Sequence, residues 1–294
     1  MNALQRNDKL IIKNFPVKRE IDCDRLKGKV DAILLWENSS FGMPEKILNI
    51  DKLDVPVISR VGDPNRAKDS IDYHEKWKIT HYFHFVHKDF FYGLYPKKFN
   101  FSTIFFGLEK NLFKENRNFE ERIKNKILLT GATGYKKIIS KIINSLKNPK
   151  WNASKSYKLR TRCKTLPYVD YTSTLQHEYV NDRFYELLQK YCGVIAATTY
   201  TPNMKYWESA ASGCLTFMEI TPRNRGAYFG FKNNESCIYI DEKNFEKKFL
   251  EFLNDNENTK WKEIADNGRK YALQNFDNDV GADKLANLFS SYVK

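Results

Sequence analysis

Short apolar runs with the composition of buried strands recur along the chain, and segments of helical period separate several of them. The runs lie at residues 30–36, 55–61, 81–86, 103–106, 126–130, 193–198, 214–219 and 237–240, and a further strand is expected at 156–160. Helices are expected at 135–146 and 182–191. Strands that alternate with helices predict an α/β fold built on parallel sheets.

A polar, charged stretch at residues 109–125 separates the fourth run from the fifth. A chain of 294 residues is long enough for two medium domains with separate cores. We therefore expect an N-terminal domain over residues 1–120 and a C-terminal domain over residues 121–294.

The composition favours a folded protein of the cytoplasm. The hydrophobic share is 41% and the aromatic share 15%. No apolar run approaches the roughly 20 residues that a transmembrane helix needs, and the N-terminus lacks the apolar core of a signal peptide. The five cysteines are odd in number, widely spread and never in a Cys-x-x-Cys pair, which disfavours disulfides or a zinc site.

Positive charge is concentrated in one part of the chain. The formal net charge is +13, and residues 126–169 contain eleven Lys or Arg and no Asp or Glu. Three interpretations remain open for this basic tract: a diphosphate site, a surface for anionic lipid or nucleic acid, and a solvated face.

Residues 205–217 predict a short helix of small residues that ends at Gly213 and continues into an apolar strand. Lys205 and Glu208 are three residues apart and share a helix face. The Glu208 carboxylate is placed to accept hydrogen bonds from two vicinal hydroxyls, as a ribose would offer. An ordinary surface helix is the competing interpretation.

A second candidate lies where a predicted strand ends in the turn Gly131-Ala-Thr133-Gly134 and a helix follows. Such a turn exposes backbone N–H groups at the positive end of the helix, which suits phosphate. Lys136 and Lys137 in the first helical turn favour an anion there, whereas a simple tight turn is the alternative. Arg160 is expected to join this pocket, with Arg162 in its place if the strand register shifts by two residues.

Residues 205–217 resemble the nucleotide-sugar signature of group 1 glycosyltransferases, closest to their short, spore-maturation-type branch. The resemblance covers about residues 126–294. It implies that Glu208 holds the ribose of the donor, that Lys205 is the basic residue before the aromatic-Glu pair, and that the glycine turn faces the diphosphate. The sequence departs from the family pattern at Tyr200, where many relatives carry a second glutamate for the transferred sugar, and at Ile138, where relatives often carry arginine.

The resemblance implies the GT-B architecture, with two Rossmann-like domains facing a cleft and a last helix, near residues 279–292, that crosses back onto the first domain. It implies hexosyl transfer from a nucleoside-diphosphate sugar to a hydroxyl, with retention of configuration and without a metal or cofactor. The acceptor is expected to bind the N-terminal domain.

In that domain, Asp63 follows a predicted strand as a candidate base or sugar ligand, although it also suits a turn before Pro64. His81, His84 and His87 are spaced by three, which does not align them on one face of a strand, so a metal triad is not expected. His87, just past the strand, is the acceptor-side candidate.

Two other classes of function remain open. The net charge suits a DNA-modifying glycosyltransferase or a nucleic-acid binder, although no recognised nucleic-acid motif is present. Tyr200 instead suits an inactive module that binds sugar nucleotides. The segment 141–158, with five lysines and no acid, favours an anionic lipid-linked or polymeric acceptor and peripheral contact with a membrane.

Overall fold

The computed structural model describes residues 2–15, 19–36, 44–62, 67–134, 138–147, 152–173, 179 and 183–293. The chain divides into two compact units, one formed by Met1–Phe106 with Asn278–Lys294 and the other by Gly107–Asp277.

The strands of the described residues are β1 (Glu20–Asp22), β2 (Ile33–Leu35), β3 (Lys46–Leu48), β4 (Val57–Arg60), β5 (Ile79–His84), β6 (Phe101–Thr103), β7 (Ile123–Thr130), β8 (Val169–Thr172), β9 (Tyr191–Ala196), β10 (Leu215–Glu219) and β11 (Ile238–Ile240). The helices are α1 (Asn2–Arg6), α2 (Ala67–Lys76), α3 (Lys88–Leu94), α4 (Ile138–Lys147), α5 (Ala153–Ser156), α6 (Lys158–Cys163), α7 (Phe184–Leu188), α8 (Lys205–Ala211), α9 (Phe245–Leu253), α10 (Thr259–Asn275) and α11 (Asn278–Ser290). Among these helices, none combines the length and the apolar character that crossing a bilayer requires.

The first unit is built on a parallel sheet of order β2–β4–β5–β6, beside a parallel pair of β1 and β3. Ile58 and Phe83 of the sheet share a core with Leu285 of α11. The α11 helix also holds α1, because Arg6 Nη2 lies 2.6 Å from Asp279 Oδ1. The last helix of the chain thus completes the core of the first unit.

The second unit is built on a parallel sheet of order β11–β10–β9–β7–β8. Alternate residues of its central strands enter two cores, as the two-residue period of a strand requires. Ile127 and Ile195 join one core, and Leu128 and Val194 join the other. Strands buried on both faces explain the continuous apolar runs in the sequence.

The chain leaves β7 toward β8 on one side and leaves β9 toward β10 on the other, although β7 and β9 are neighbours. The order of strands therefore reverses between them. In open α/β sheets, ligands bind at the carboxyl ends of the strands beside such a reversal.

The predicted α/β class with parallel sheets is confirmed, but the strand predicted at residues 156–160 is wrong. This segment forms the helices α5 and α6, and the edge position is taken by β8, which the apolar pattern did not indicate. Leu159 and Cys163 are both fully buried and four residues apart, which is a helical period. The Asn152 side chain begins α5 by accepting a hydrogen bond from the Lys155 amide.

Candidate functional site

Thr130, the last residue of β7, receives two cationic side chains at the point where the strand order reverses. The Lys205 ammonium donates a hydrogen bond to the Thr130 hydroxyl, with Nζ 2.8 Å from Oγ1. The Arg160 guanidinium donates to the backbone carbonyl of the same residue. Residues from α6, α8 and β7 thus meet at one carboxyl end of the sheet.

Helix α6 carries Arg160 into this site because its neighbours anchor the helix in the core. Leu159 and Cys163 are buried, and Arg160 itself is only 3% exposed. Its guanidinium lies 4.7 Å from the centre of the Tyr157 ring. Burial lowers the pKa of Arg160, because the charged form is poorly solvated there.

Arg162 does not replace Arg160. It is exposed and faces a different part of the second unit, where Nη1 donates to the Glu242 carbonyl over 2.8 Å. Its other amino group lies 3.7 Å from Glu246. The prediction of Arg160, with Arg162 in its place after a register shift, assumed a strand, whereas the segment is the helix α6. The role of Arg160 at the diphosphate stays a prediction.

Helix α8 presents Lys205 and Glu208 together because its other face is fixed in the core. Tyr206 and Trp207 are fully buried, and Trp207 stacks on Phe276 at 4.8 Å between ring centres. Lys205 and Glu208 are less buried than these aromatic residues. One helical turn separates the two charged side chains, so they share the face that the core leaves open.

The chain turns from α8 into β10 at Gly213, as predicted. Gly213 has φ of +70°, a left-handed conformation that favours glycine. A Cβ atom there would lie 2.7 Å from the Asn116 side chain. The buried Arg122 guanidinium donates a hydrogen bond to the Gly213 carbonyl over 3.0 Å and stabilises the turn.

Burial dominates the electrostatics of Lys205 and Glu208, and repulsion from Arg160 adds to its effect on Lys205. Burial, together with the nearby Arg160 charge, lowers the pKa of Lys205 to about 7. Burial raises the pKa of Glu208 to about 7, against the opposing effect of Lys205. Two cations and one acid therefore occupy a poorly solvated site, where an added anion would be stabilised.

The glycine turn lies beside this site, but its two glycine amides are already used. The Gly131 amide donates to the Thr172 carbonyl over 2.9 Å, and the Gly134 amide donates to the Thr161 hydroxyl over 2.8 Å. The prediction that the turn exposes N–H groups to phosphate is therefore wrong for these two glycines. Thr133 between them is half-buried, whereas Lys136 and Lys137 lie outside the described residues.

Tyr200 occupies the loop after β9, at the place where the family resemblance implies a glutamate. Its ring lies 5.1 Å from the Arg223 guanidinium, and both side chains reach the solvent. An aromatic ring with a cation above it thus follows the strand that neighbours β7. Arg223 lies in an irregular segment between β10 and β11, so no sequence pattern singled it out.

Glu219 is a buried acid that the sequence analysis did not single out. It ends β10, it is 2% exposed, and its Oε2 has no hydrogen-bond partner among the described residues. Burial raises the pKa of Glu219 to about 7, while the positive charge of Arg160 acts in the opposite direction. Its position at the end of an apolar strand was the only available signal.

The histidines of the first unit have separate roles. His87 begins α3, where its Nδ1 accepts a hydrogen bond from the Asp89 amide over 3.2 Å. His81 contacts Ser102, with Nε2 2.9 Å from the hydroxyl oxygen. Burial lowers the pKa of His84 to about 3. Within the described ranges no three His, Cys, Asp or Glu side chains form a metal site, and Asp63 lies outside those ranges.

Comparison with protein-family models gave no match, and comparison with curated proteins gave none either. Solved structures do match. HepE from Anabaena in complex with UDP-glucose aligns with a TM-score of 0.55 at 13% identity, over 81% of this chain and 72% of that chain. Sucrose-phosphate synthase from Thermosynechococcus elongatus aligns with a TM-score of 0.53 at 9% identity, over 82% of this chain and 69% of that chain.

A glycosyltransferase from Rickettsia africae aligns with a TM-score of 0.51 at 13% identity, over 83% of this chain and 79% of that chain. These neighbours are GT-B glycosyltransferases. The chain therefore has the GT-B fold, as the resemblance of residues 205–217 predicted.

Proposed function

We propose that this chain is a glycosyltransferase that moves a sugar from a nucleoside-diphosphate donor to a hydroxyl acceptor. The observation that carries the proposal is the meeting of Arg160 and Lys205 at Thr130, with Glu208 one helical turn away. The geometry offers positive charge for a diphosphate and a carboxylate for a ribose in adjoining positions.

The lowered pKa values of the two cationic side chains support this assignment. Lys205 and Arg160 each carry a pKa lowered chiefly by burial, and the Arg160 charge adds to the effect on Lys205. A bound diphosphate would offset both effects, since an opposite charge favours the protonated forms. The fold adds support, because the HepE neighbour was solved with UDP-glucose.

In the proposed reaction, the bond between the anomeric carbon and the diphosphate oxygen breaks, and its electron pair stays with the diphosphate. The acceptor oxygen bonds to the sugar and loses its proton to a base. Arg160 and Lys205 would stabilise the charge that develops on the leaving diphosphate without a metal ion. Glu208 would orient the donor through its ribose hydroxyls.

The proposal also covers the stereochemistry of transfer, the contact with the transferred sugar and the acceptor. Retention of configuration and hexosyl transfer follow the family resemblance. Tyr200, with Arg223 above it, would contact the transferred sugar in place of the missing glutamate. Asp63 and His87 stay predictions for the acceptor side. An anionic lipid-linked or polymeric acceptor at a membrane surface would suit the basic tract, in a protein of the cytoplasm.

A calorimetric titration with UDP, GDP and ADP sugars tests the proposal. One donor should bind, and Lys205→Ala should weaken it at least about tenfold, because a charged hydrogen bond is worth about 1.5–3 kcal/mol. Lys155→Ala is the matched control, since Lys155 is an exposed lysine of the same unit. Equal affinity in both variants would contradict the site.

Turnover and DNA-binding assays test the two competing classes of function, an inactive module that binds sugar nucleotides and a nucleic-acid protein. Release of nucleoside diphosphate in the presence of an acceptor would exclude an inactive binding module. Tight, salt-sensitive duplex DNA binding without any donor binding would instead favour a nucleic-acid protein.

A further inference from the structure

The second unit carries a helix whose apolar side is exposed to solvent. In α4 the exposed fractions are 72% for Ile139, 54% for Ile142, 48% for Ile143 and 77% for Leu146. Their spacing of i, i+3, i+4 and i+7 makes one continuous stripe, which we call the α4 stripe. Ser140 and Ser145, one on each flank of the α4 stripe, are less exposed. A helix that packs on its own core buries its apolar stripe, whereas α4 exposes it.

The sequence around the α4 stripe is basic. Residues 136–158 contain seven lysines and no Asp or Glu, namely Lys136, Lys137, Lys141, Lys147, Lys150, Lys155 and Lys158. Lys158 forms an ion pair with Glu242, with Nζ 2.6 Å from Oε2, whereas Lys155 on α5 is exposed. An apolar stripe embedded in lysine-rich sequence favours a partner that is both apolar and negatively charged.

We infer that α4 docks on a membrane surface that contains anionic lipid, with the α4 stripe among the acyl chains and the positive charge of the lysine-rich sequence attracting the headgroups. A helix of this composition lies in the interfacial plane and binds through apolar burial and attraction to anionic lipid together. A second copy of the chain is the poorer occupant, because a symmetric contact through α4 would bring two lysine-rich segments together.

The inference rests on the proposed function for its biological meaning. Helix α4 begins four residues after Gly134, and its ten residues span about 15 Å. Docking would therefore hold the turn at Gly131 near the bilayer. The substrate class that this favours is an acceptor hydroxyl carried by a membrane-resident molecule.

Flotation with vesicles tests the inference directly. The full chain should float with vesicles of phosphatidylcholine mixed with phosphatidylglycerol, but not with phosphatidylcholine alone, and added salt should weaken binding. The double variant Ile142→Ser/Leu146→Ser should bind at least about tenfold more weakly. Ile11→Ser/Leu250→Ser is the matched control, because it removes the same amount of exposed apolar surface elsewhere; it should bind like the parent chain.

A second stripe variant, Ile139→Ser/Ile143→Ser, repeats the test, and thermal melting confirms that each variant is folded. Equal vesicle binding by stripe and control variants would overturn the inference, as would no vesicle binding by the parent chain. A dimer by sedimentation that only the stripe variants dissociate would assign the stripe to a second copy instead. Donor affinity should be unchanged in the stripe variants, whereas Lys205→Ala should lose donor affinity and keep vesicle binding, so failures of the two proposals are distinguishable.

Discussion

Lys205 and Thr130 are 75 residues apart in the chain, yet Lys205 Nζ lies 2.8 Å from Thr130 Oγ1. The contact ties the start of α8 to the carboxyl end of β7. Because Arg160 donates to the carbonyl of the same threonine, one residue positions both cations of the proposed donor site.

Thr130→Val removes the hydroxyl that positions Lys205. We expect donor affinity to fall about threefold to tenfold, because the ammonium loses a charged hydrogen bond that fixes its direction. Thr172→Val is the matched control on the neighbouring strand, since the Thr172 hydroxyl is buried and has no hydrogen-bond partner among the described residues. Isothermal titration of both variants checks the prediction, and equal affinities would show that Thr130 does not position the lysine.

The pH dependence of donor binding should have a maximum near pH 7. The pKa of Lys205 is lowered to about 7, so it loses its charge as pH rises and affinity should fall by up to about tenfold per pH unit on the alkaline side. The pKa of Glu208 is raised to about 7, so it loses its charge as pH falls and affinity should decline on the acid side.

Lys205→Arg should flatten only the alkaline side, because arginine stays charged. Glu208→Gln should flatten only the acid side. Titrations between about pH 5.5 and 9 measure both, and an unaltered profile in either variant would assign that side to a different group.

Glu219→Gln should stabilise the protein at high pH. The pKa of Glu219 is raised to about 7 in the folded chain, so folding disfavours its charged form once pH exceeds the unfolded value of 4.5. The destabilisation is absent below about pH 4.5 and complete above about pH 7. At pH 8 the variant should gain about 1–3 kcal/mol in free energy of unfolding, and the gain should vanish near pH 4.5. Urea unfolding at both pH values checks this, and a gain independent of pH would contradict it.

Gly213→Ala should destabilise the second unit by about 1–3 kcal/mol, because alanine disfavours a φ of +70° and its Cβ would meet Asn116. The control is Gly93→Ala in α3, where a Cβ atom has no neighbour within 4 Å. That substitution should be neutral or stabilising by up to about 1 kcal/mol. Denaturant unfolding compares the two, and similar losses would contradict the stated role of Gly213.

The fold class could be predicted from the sequence because strands buried on both faces leave continuous apolar runs, as in β7 and β9. It failed at residues 156–160, since short apolar segments do not separate a helix from a strand by themselves. The segment is a helix because Leu159 and Cys163 are buried together in one core. That shared burial is a property of the folded chain and is not visible in the local sequence.

The site was partly predictable for a similar reason. Lys205 and Glu208 are close in sequence, so helical spacing placed them together. The meeting of Lys205 with Thr130, the use of the Gly134 amide by Thr161 and the burial of Glu219 are tertiary contacts. Local pattern does not contain them.

The most direct test of the central claim is whether Glu208 holds the donor ribose. We expect Glu208→Ala to weaken binding of the donor's nucleoside diphosphate about tenfold to hundredfold by calorimetry, with Glu263→Ala, an exposed acid of α10, as control. The nucleotide used is the one whose sugar derivative binds the parent chain. The parent chain should prefer this nucleotide over its 2′-deoxy analogue, and Glu208→Ala should abolish that preference. Unchanged affinity, or a preference that survives the substitution, would contradict the assignment of Glu208.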